Sequence, residues 1–160
     1  MRRIKWLEAD RLWQAGVWAL IVAYFLYFGV LTVQKHNAFQ TTAFDLGNVD
    51  QAVWNTRHGR PFALTNIEGL ANRLGTHVEP ILAPISLLYF VWSDPRALLL
   101  LQTAVIALGA WPAYLIARRA VSGQRSDDSQ QRSAMRGTDY VSPLGEHALP
   151  VTFVLAYLFF

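Results

Sequence analysis

The feature that most constrains this chain is an uncharged stretch of 21 residues from Trp13 to Val33. As a helix it would be roughly 30 Å long, at about 1.5 Å per residue, which matches the hydrocarbon core of a bilayer. A cleaved signal peptide is the weaker alternative, because Gln34, Lys35 and His36 follow where small residues would be expected. The sequence therefore predicts a membrane-spanning helix over residues 13–33.

Basic residues at the N-terminus indicate the orientation of this span. Arg2, Arg3, Lys5 and Arg11 precede it, and Trp13 marks its start. Positive charge is retained on the cytoplasmic side, and Trp is enriched at the membrane surface. We therefore predict a multi-pass protein of the cell membrane with a cytoplasmic N-terminus and residues 34–80 outside.

The composition excludes several classes of protein. Hydrophobic residues make up 53% of the chain and charged residues 16%, which is too apolar for an ordinary water-soluble domain. The net charge of +3 comes from basic residues scattered around apolar segments, so no nucleic-acid partner is predicted. The absence of cysteine rules out disulfides, thiolate metal sites and a cysteine nucleophile.

Three more apolar stretches follow the first, and we interpret residues 1–160 as one membrane domain. Residues 96–117 begin just after Pro95 and form a second full span. Residues 81–92 contain Pro84 and are short, which leaves either a short spanning helix or a re-entrant one. Residues 149–160 predict a truncated spanning helix, and hence the N-terminal part of a longer protein. A short helix packed on the others is the alternative.

The polar segment at 122–143 is predicted to be a flexible loop. It is rich in Ser, Gln, Arg and Asp, and it has little apolar surface to bury. The side of the membrane that residues 118–148 occupy stays open. If residues 81–92 span, Arg118 and Arg119 lie outside, against the usual charge bias, whereas a re-entrant segment puts them inside.

The outer segment contains the pattern of an amphipathic helix from Asp45 to His58. Leu46, Val49 and Val53 recur at the spacing of one helix face, and Gly59 to Pro61 ends the pattern. Such a helix is expected to lie in the plane of the membrane interface. The loop at 34–80 is therefore predicted to hold interfacial helices.

Ionisable residues in this outer segment are candidates for chemistry. Asp45 is either an N-cap of the helix or a carboxylate that accepts a proton from a substrate. Asp50 is expected to lie on a solvated face. Arg57, Arg60 and Arg73 suit phosphate groups, and the alternative for them is contact with anionic headgroups.

A second polar cluster lies just before Pro80 and comprises Asn72, Arg73, His77 and Glu79. A polar cluster at a membrane entrance indicates a binding function. His58, His77 and Glu79 lack the spacing of a zinc-protease motif, so no metal site is predicted, and the need for a divalent cation stays open.

The motifs together resemble a known family. They are Ala43-Phe44-Asp45-Leu46-Gly47, Asp50-Gln51, Trp54-Asn55, His58-Gly59-Arg60-Pro61, Asn72-Arg73-Leu74-Gly75, His77, Pro80 and Gln102. The chain resembles a family of bacterial polytopic membrane proteins, a domain of unknown function that is grouped with the GT-C glycosyltransferases.

This resemblance implies an all-α integral membrane fold, a fragment of a GT-C-like helical bundle. It also implies a sugar donor carried on polyprenyl phosphate, with no firm cofactor, and Asp45 as the catalytic acid–base group. The residues it implies for substrate binding are Asp50, Trp54, Asn55, His58, Arg60, Asn72, Arg73, His77 and Glu79.

The predicted function is transfer of a hexosyl or pentosyl group from a lipid-linked donor. The alternatives are a non-catalytic anchoring or interaction protein and a transporter-like subunit. Neither residues 13–33 nor residues 97–117 contain Asp, Glu, Lys, Arg or His, which argues against a transporter. The predicted partners are the lipid bilayer and the lipid-linked sugar, with the oligomeric state open.

Overall fold

The protein is helical, as seen in a computed structural model that describes residues 2–65, 69–134 and 144–159. The α-helices are α1 (Arg2–Asn37), α2 (Asn48–Arg57), α3 (Leu82–Ile85), α4 (Pro95–Ala134) and α5 (Leu144–Phe159). A π-helical turn, Ala43–Gly47, and two 3₁₀ turns, Arg73–Gly75 and Ser86–Phe90, complete the helical elements. The described residues form no strand, only an isolated bridge between Ala63 and Asn72. The all-α prediction is confirmed.

Among the described residues, two helices are long and apolar enough to cross a membrane: Arg11–Asn37 within α1 and Pro95–Val121 within α4. In the most apolar part of each helix, only 17% and 22% of the residues, respectively, are buried. A core helix of a water-soluble protein would be mostly buried, so these helices present an apolar surface that lipid or further helices must cover.

The apolar stretch at 81–92 forms two short helical elements in place of one long helix. It consists of α3 followed directly by the 3₁₀ turn Ser86–Phe90. At 1.5–2.0 Å per residue this pair is about 14–18 Å long, roughly half the thickness of the hydrocarbon core. The sequence leaves a short spanning helix and a re-entrant helix as alternatives for this segment, and both stay predictions.

The start of α4 follows directly from its sequence. Asp94 precedes Pro95, and its Oδ1 accepts a hydrogen bond of 2.8 Å from the backbone N–H of Arg96. Proline suits the first helical position because its missing N–H would be unpaired there in any case. Asp94 is thus the N-cap of the second long apolar helix.

The structure differs from the sequence prediction after Val121. Residues up to Ala134 continue α4, whereas their composition predicts a flexible loop. Helical hydrogen bonds are made within the backbone, so a helix needs no apolar face to satisfy them. The rest of the predicted loop, residues 135–143, lies outside the described residues.

The chain divides into two compact units. The first comprises Met1–Tyr27 and Ala104–Phe160. Its core combines residues of three helices: Val17, Ile21, Ala107, Ala110, Tyr114, Val154 and Leu158. The rings of Trp18 and Trp111 are in contact, with centroids 5.1 Å apart and planes tilted by 30°. Alanines in α4 leave room for these larger side chains, as is common where helices approach closely in membranes.

The second unit is Phe28–Thr103, and it contains the segment between the two long helices together with the adjoining ends of those helices. Its buried core is Ala52, Val53, Leu64, Leu82, Tyr89 and Leu98. Leu46 and Val49 pack against this cluster. The apolar stripe of α2 therefore packs in the core of this unit, whereas the sequence pattern predicts a helix that lies in the plane of the membrane interface.

Candidate functional site

The second unit contains a cavity of about 210 Å³ lined by both polar and apolar residues. We call it the Asp50 cavity. The end of α1, the π-helical turn, α2 and the first residue of α4 all contribute to it. Its lining residues are His36, Thr41, Thr42, Leu46, Gly47, Asp50 and Pro95.

Asp50 is half-buried in the first turn of α2 and is tied to a residue far along the chain. The hydroxyl of Tyr89 donates a hydrogen bond to Asp50 Oδ1. The Tyr89 side chain is almost fully buried in the core of the unit. This contact fixes the 3₁₀ turn Ser86–Phe90 to α2 and points one carboxylate oxygen toward the phenol.

Burial raises the pKa of Asp50 above its ordinary value, and Asp94 adds to this effect. The hydrogen bond from Tyr89 and the charge of His36 act in the opposite direction. Burial, together with the bond to Asp50, also raises the pKa of Tyr89, so the phenol keeps its proton. Asp50 is therefore a better proton acceptor than a solvated aspartate.

His36 is held at the rim of the cavity by the segment that follows α1. Its Nδ1 lies 3.0 Å from the hydroxyl of Thr41. The contact orients the imidazole at the rim of the cavity. In the sequence His36 belongs to the basic end of a spanning helix, which suggests only a structural role.

Asp45 lies in the π-helical turn and is exposed. Its Oδ2 accepts a hydrogen bond of 3.1 Å from the hydroxyl of Thr42. The N-cap position of α2 belongs to Gly47, so the expected capping role of Asp45 is not observed. The carboxylate is instead open to solvent, beside a threonine that lines the cavity.

A second group of polar residues lies at the end of α2, and we call it the Trp54 cluster. The rings of Trp54 and His58 stack with centroids 3.9 Å apart. The guanidinium carbon of Arg60 lies 5.5 Å from the centroid of Trp54. Gly59 has a φ of +75°, a conformation that glycine adopts easily, and it turns the chain so that Arg60 folds back over the ring.

Two of the residues predicted to bind substrate, Asn55 and Asn72, make hydrogen bonds within the loop that follows α2. Asn55 is buried, and its amide nitrogen donates to the carbonyl of Ala63 at 2.8 Å. Asn72 donates to the carbonyl of Pro61 at 2.8 Å and accepts a bond from the N–H of Leu74. Both amides are thereby used to hold the loop between α2 and the next 3₁₀ turn.

The third polar group is an ion pair. Arg73 Nε lies 2.8 Å from Glu79 Oε2, and the pairing lowers the pKa of Glu79. His77 is exposed nearby and reinforces this effect through its charge. Within the described parts of the chain, no three His, Cys, Asp or Glu residues are grouped so that they could hold a metal ion.

The predicted site residues thus fall into separate groups. The structure brings Asp50 together with His36 and Tyr89, neither of which the sequence identifies. Tyr89 lies in an apolar stretch, where a tyrosine carries no signal beyond packing. The role of Tyr89 becomes visible only through its hydrogen bond to the half-buried Asp50.

Comparison with known protein families identifies a match. Residues 35–127, more than half of the chain, match the model of a family described as "Predicted membrane protein (DUF2079)". No curated protein and no solved structure matches the chain significantly.

Proposed function

The chain belongs to the DUF2079 family of predicted membrane proteins, and from this premise we propose that it is a membrane glycosyltransferase module of GT-C type. It transfers a hexosyl or pentosyl group from polyprenyl phosphate to an acceptor hydroxyl. The observation that carries the proposal is a pair of acids beside one cavity, next to the ends of two apolar helices. Asp45 is exposed, and Asp50 is half-buried and lines the cavity.

We propose an orientation of the chain that is consistent with this arrangement. The apolar part of the segment between α1 and α4 is too short to cross a membrane. In the proposed orientation, α1 and α4 therefore cross the membrane in opposite directions. The N-terminal basic residues and Arg118 and Arg119 then share the cytoplasmic side, as the distribution of positive charge in membrane proteins requires. Residues 38–94, including both acids, lie on the outer side.

In the proposed reaction Asp45 takes the proton from the acceptor hydroxyl. The acceptor oxygen forms a bond to the anomeric carbon, while the bond from that carbon to the phosphate oxygen breaks. The phosphate leaves with the electron pair and stays on its lipid carrier. An exposed carboxylate suits a base that meets its acceptor from water.

Asp50 has a different proposed role. Its raised pKa and its bond from Tyr89 suit it to hold a sugar hydroxyl inside the cavity. The remaining proposed contacts to the substrate are the Trp54 cluster, His77 and Glu79. Aromatic rings such as Trp54 offer a flat apolar face against which a sugar ring packs.

The test is sugar transfer by the full-length protein in membranes. We expect Asp45→Asn to lower transfer from labelled polyprenyl-phosphate sugars by about 10²- to 10⁴-fold, the usual contribution of a general base. Asp94→Asn is the matched control, because asparagine also caps a helix and the change removes the same charge.

The outcomes separate the alternatives. Full activity of the Asp45→Asn variant would remove Asp45 from the reaction. If the unmodified protein transfers no sugar from any donor of a hexosyl and pentosyl panel, the transferase proposal fails and a non-catalytic anchoring role replaces it.

A further inference from the structure

We propose that Arg57 and Arg60 form a binding surface for the phosphate group of an anionic membrane lipid. The surface is built on the aromatic rings of Phe90 and Trp54. It shares Trp54 and Arg60 with the proposed substrate contacts, but lipid binding there does not depend on the transferase reaction, because an ordinary phospholipid suffices to occupy the surface.

Both guanidinium groups are held over aromatic rings. The Arg57 carbon Cζ lies 4.9 Å from the centroid of Phe90, and that of Arg60 lies 5.5 Å from the centroid of Trp54. The attraction between a cation and the face of a ring fixes the plane of each group. Within the described residues, the N–H donors at the edges of the two planes have no hydrogen-bond partner and remain available to a ligand.

The charges of these arginines are not neutralised within the described residues. The ion pairs found there are those of Arg73 with Glu79 and Arg96 with Asp94. Among the arginines that suit phosphate by sequence, Arg73 is thus occupied, while Arg57 and Arg60 have no carboxylate partner in the described parts of the chain. A planar guanidinium whose N–H donors are free can bind two phosphate oxygens at once through two parallel hydrogen bonds.

The surroundings of the two arginines favour a lipid over a soluble anion. Phe90 is 63% exposed, and the next residue, Val91, is 87% exposed. A soluble phosphate gains nothing from such apolar surface, whereas the headgroup region of a bilayer accommodates apolar and basic side chains together. Positive charge beside exposed apolar side chains is complementary to an anionic lipid.

The test uses spin-labelled lipids and the full-length protein reconstituted in phosphatidylcholine. Electron paramagnetic resonance gives the association of labelled phosphatidylglycerol relative to labelled phosphatidylcholine. We expect the preference for phosphatidylglycerol to fall about fivefold for each of Arg57→Gln and Arg60→Gln, from the usual effect of one basic residue at an anionic membrane surface.

Lysine variants distinguish a shaped site from general charge. Arg57→Lys with Arg60→Lys keeps the charge and loses the planar donor pair, so we expect an intermediate preference. Arg73→Lys is the matched control and is expected to leave the preference unchanged, because Arg73 is already paired with Glu79. Near-ultraviolet circular dichroism verifies that each variant keeps its tertiary packing.

Three results would overturn the inference. The first is a double glutamine variant that keeps the wild-type preference. The second is a double lysine variant equal to the wild type. The third is displacement of phosphatidylglycerol by inorganic phosphate at the same concentration, which would indicate a site for a soluble anion. Loss of sugar transfer has no bearing on any of these measurements.

Discussion

The contact between Tyr89 and Asp50 gives the most demanding prediction about this structure. Tyr89→Phe keeps the buried ring within the core of the second unit and removes only the hydroxyl. Asp50 then stays half-buried without its donor. A hydrogen bond to a charged group contributes about 1.5–3 kcal/mol, so we expect the free energy of unfolding to fall by that amount at pH 7.

The loss should depend on pH, and its sign follows from the pKa of Asp50. Burial raises this pKa above 3.8 in the folded protein, so the folded state holds the proton more tightly than the unfolded chain. The contribution of Asp50 to stability therefore falls as the pH rises from 3.8 through the folded pKa. Tyr89→Phe removes an influence that lowers the pKa, so this fall becomes larger.

A double-mutant cycle with Asp50→Asn measures how much of the contact depends on the charge of Asp50. The neutral amide can still accept the bond from Tyr89, so the cost of Tyr89→Phe in the Asp50→Asn background should drop to about 0.5–1.5 kcal/mol, the range for uncharged partners. Equilibrium unfolding of the full-length protein in mild detergent, followed by tryptophan fluorescence, provides the free energies. A Tyr89→Phe cost that is the same below pH 3.8 and at pH 7 would refute the reasoning.

Three further predictions concern the supports of the site. Asp94→Ala removes the cap of α4 and should cost about 0.5–2 kcal/mol in thermal unfolding, while Asp94→Asn should retain most of the stability. Arg73 lowers the pKa of Glu79 below 4.5, so this carboxylate stabilises the fold above pH 4.5 and ceases to do so as the pH falls through its folded value. Glu79→Gln should remove that slope from acid unfolding curves and, because the pair is partly exposed, cost less than about 1 kcal/mol at pH 7. Asn55→Ala removes the donor to the carbonyl of Ala63 and should lower the free energy of unfolding by about 1–3 kcal/mol. It should also speed proteolytic cleavage between residues 60 and 73. Unchanged cleavage would contradict the supporting role of Asn55.

The long elements of the fold could be predicted because their signals are local. Twenty or more apolar residues bounded by charge specify a spanning helix, and Asp94 followed by Pro95 specifies where the second one begins. The amphipathic pattern likewise predicts a helix within 45–58, and the structure has one at Asn48–Arg57. What the apolar face of that helix contacts is not a local property. The pattern is the same for a face against lipid and a face against Leu82 and Leu98.

The candidate site was less accessible to sequence reasoning, because its contacts join distant residues. Asp50 and Tyr89 are 39 positions apart, and a tyrosine within an apolar stretch is most simply explained by packing. Asp50 itself has the spacing of a solvated helix face. Its half-burial follows from the turn Ser86–Phe90 lying against α2, which no periodicity encodes.

The Asp50 cavity and the proposed lipid surface share α2, so a change in the packing of this helix should affect both. Asp50 lies in the first turn of α2 and Arg57 in its last turn, so both charges complement the helix dipole. Their spacing of seven residues places them on the same face, about 10 Å apart along the axis. Val53 lies between them in sequence and is fully buried, which holds that face in register with the core. A cavity at Val53 should therefore impair both the phosphate preference and sugar transfer, whereas Arg60→Gln should change the lipid preference and leave the hydrogen bond from Tyr89 to Asp50 intact.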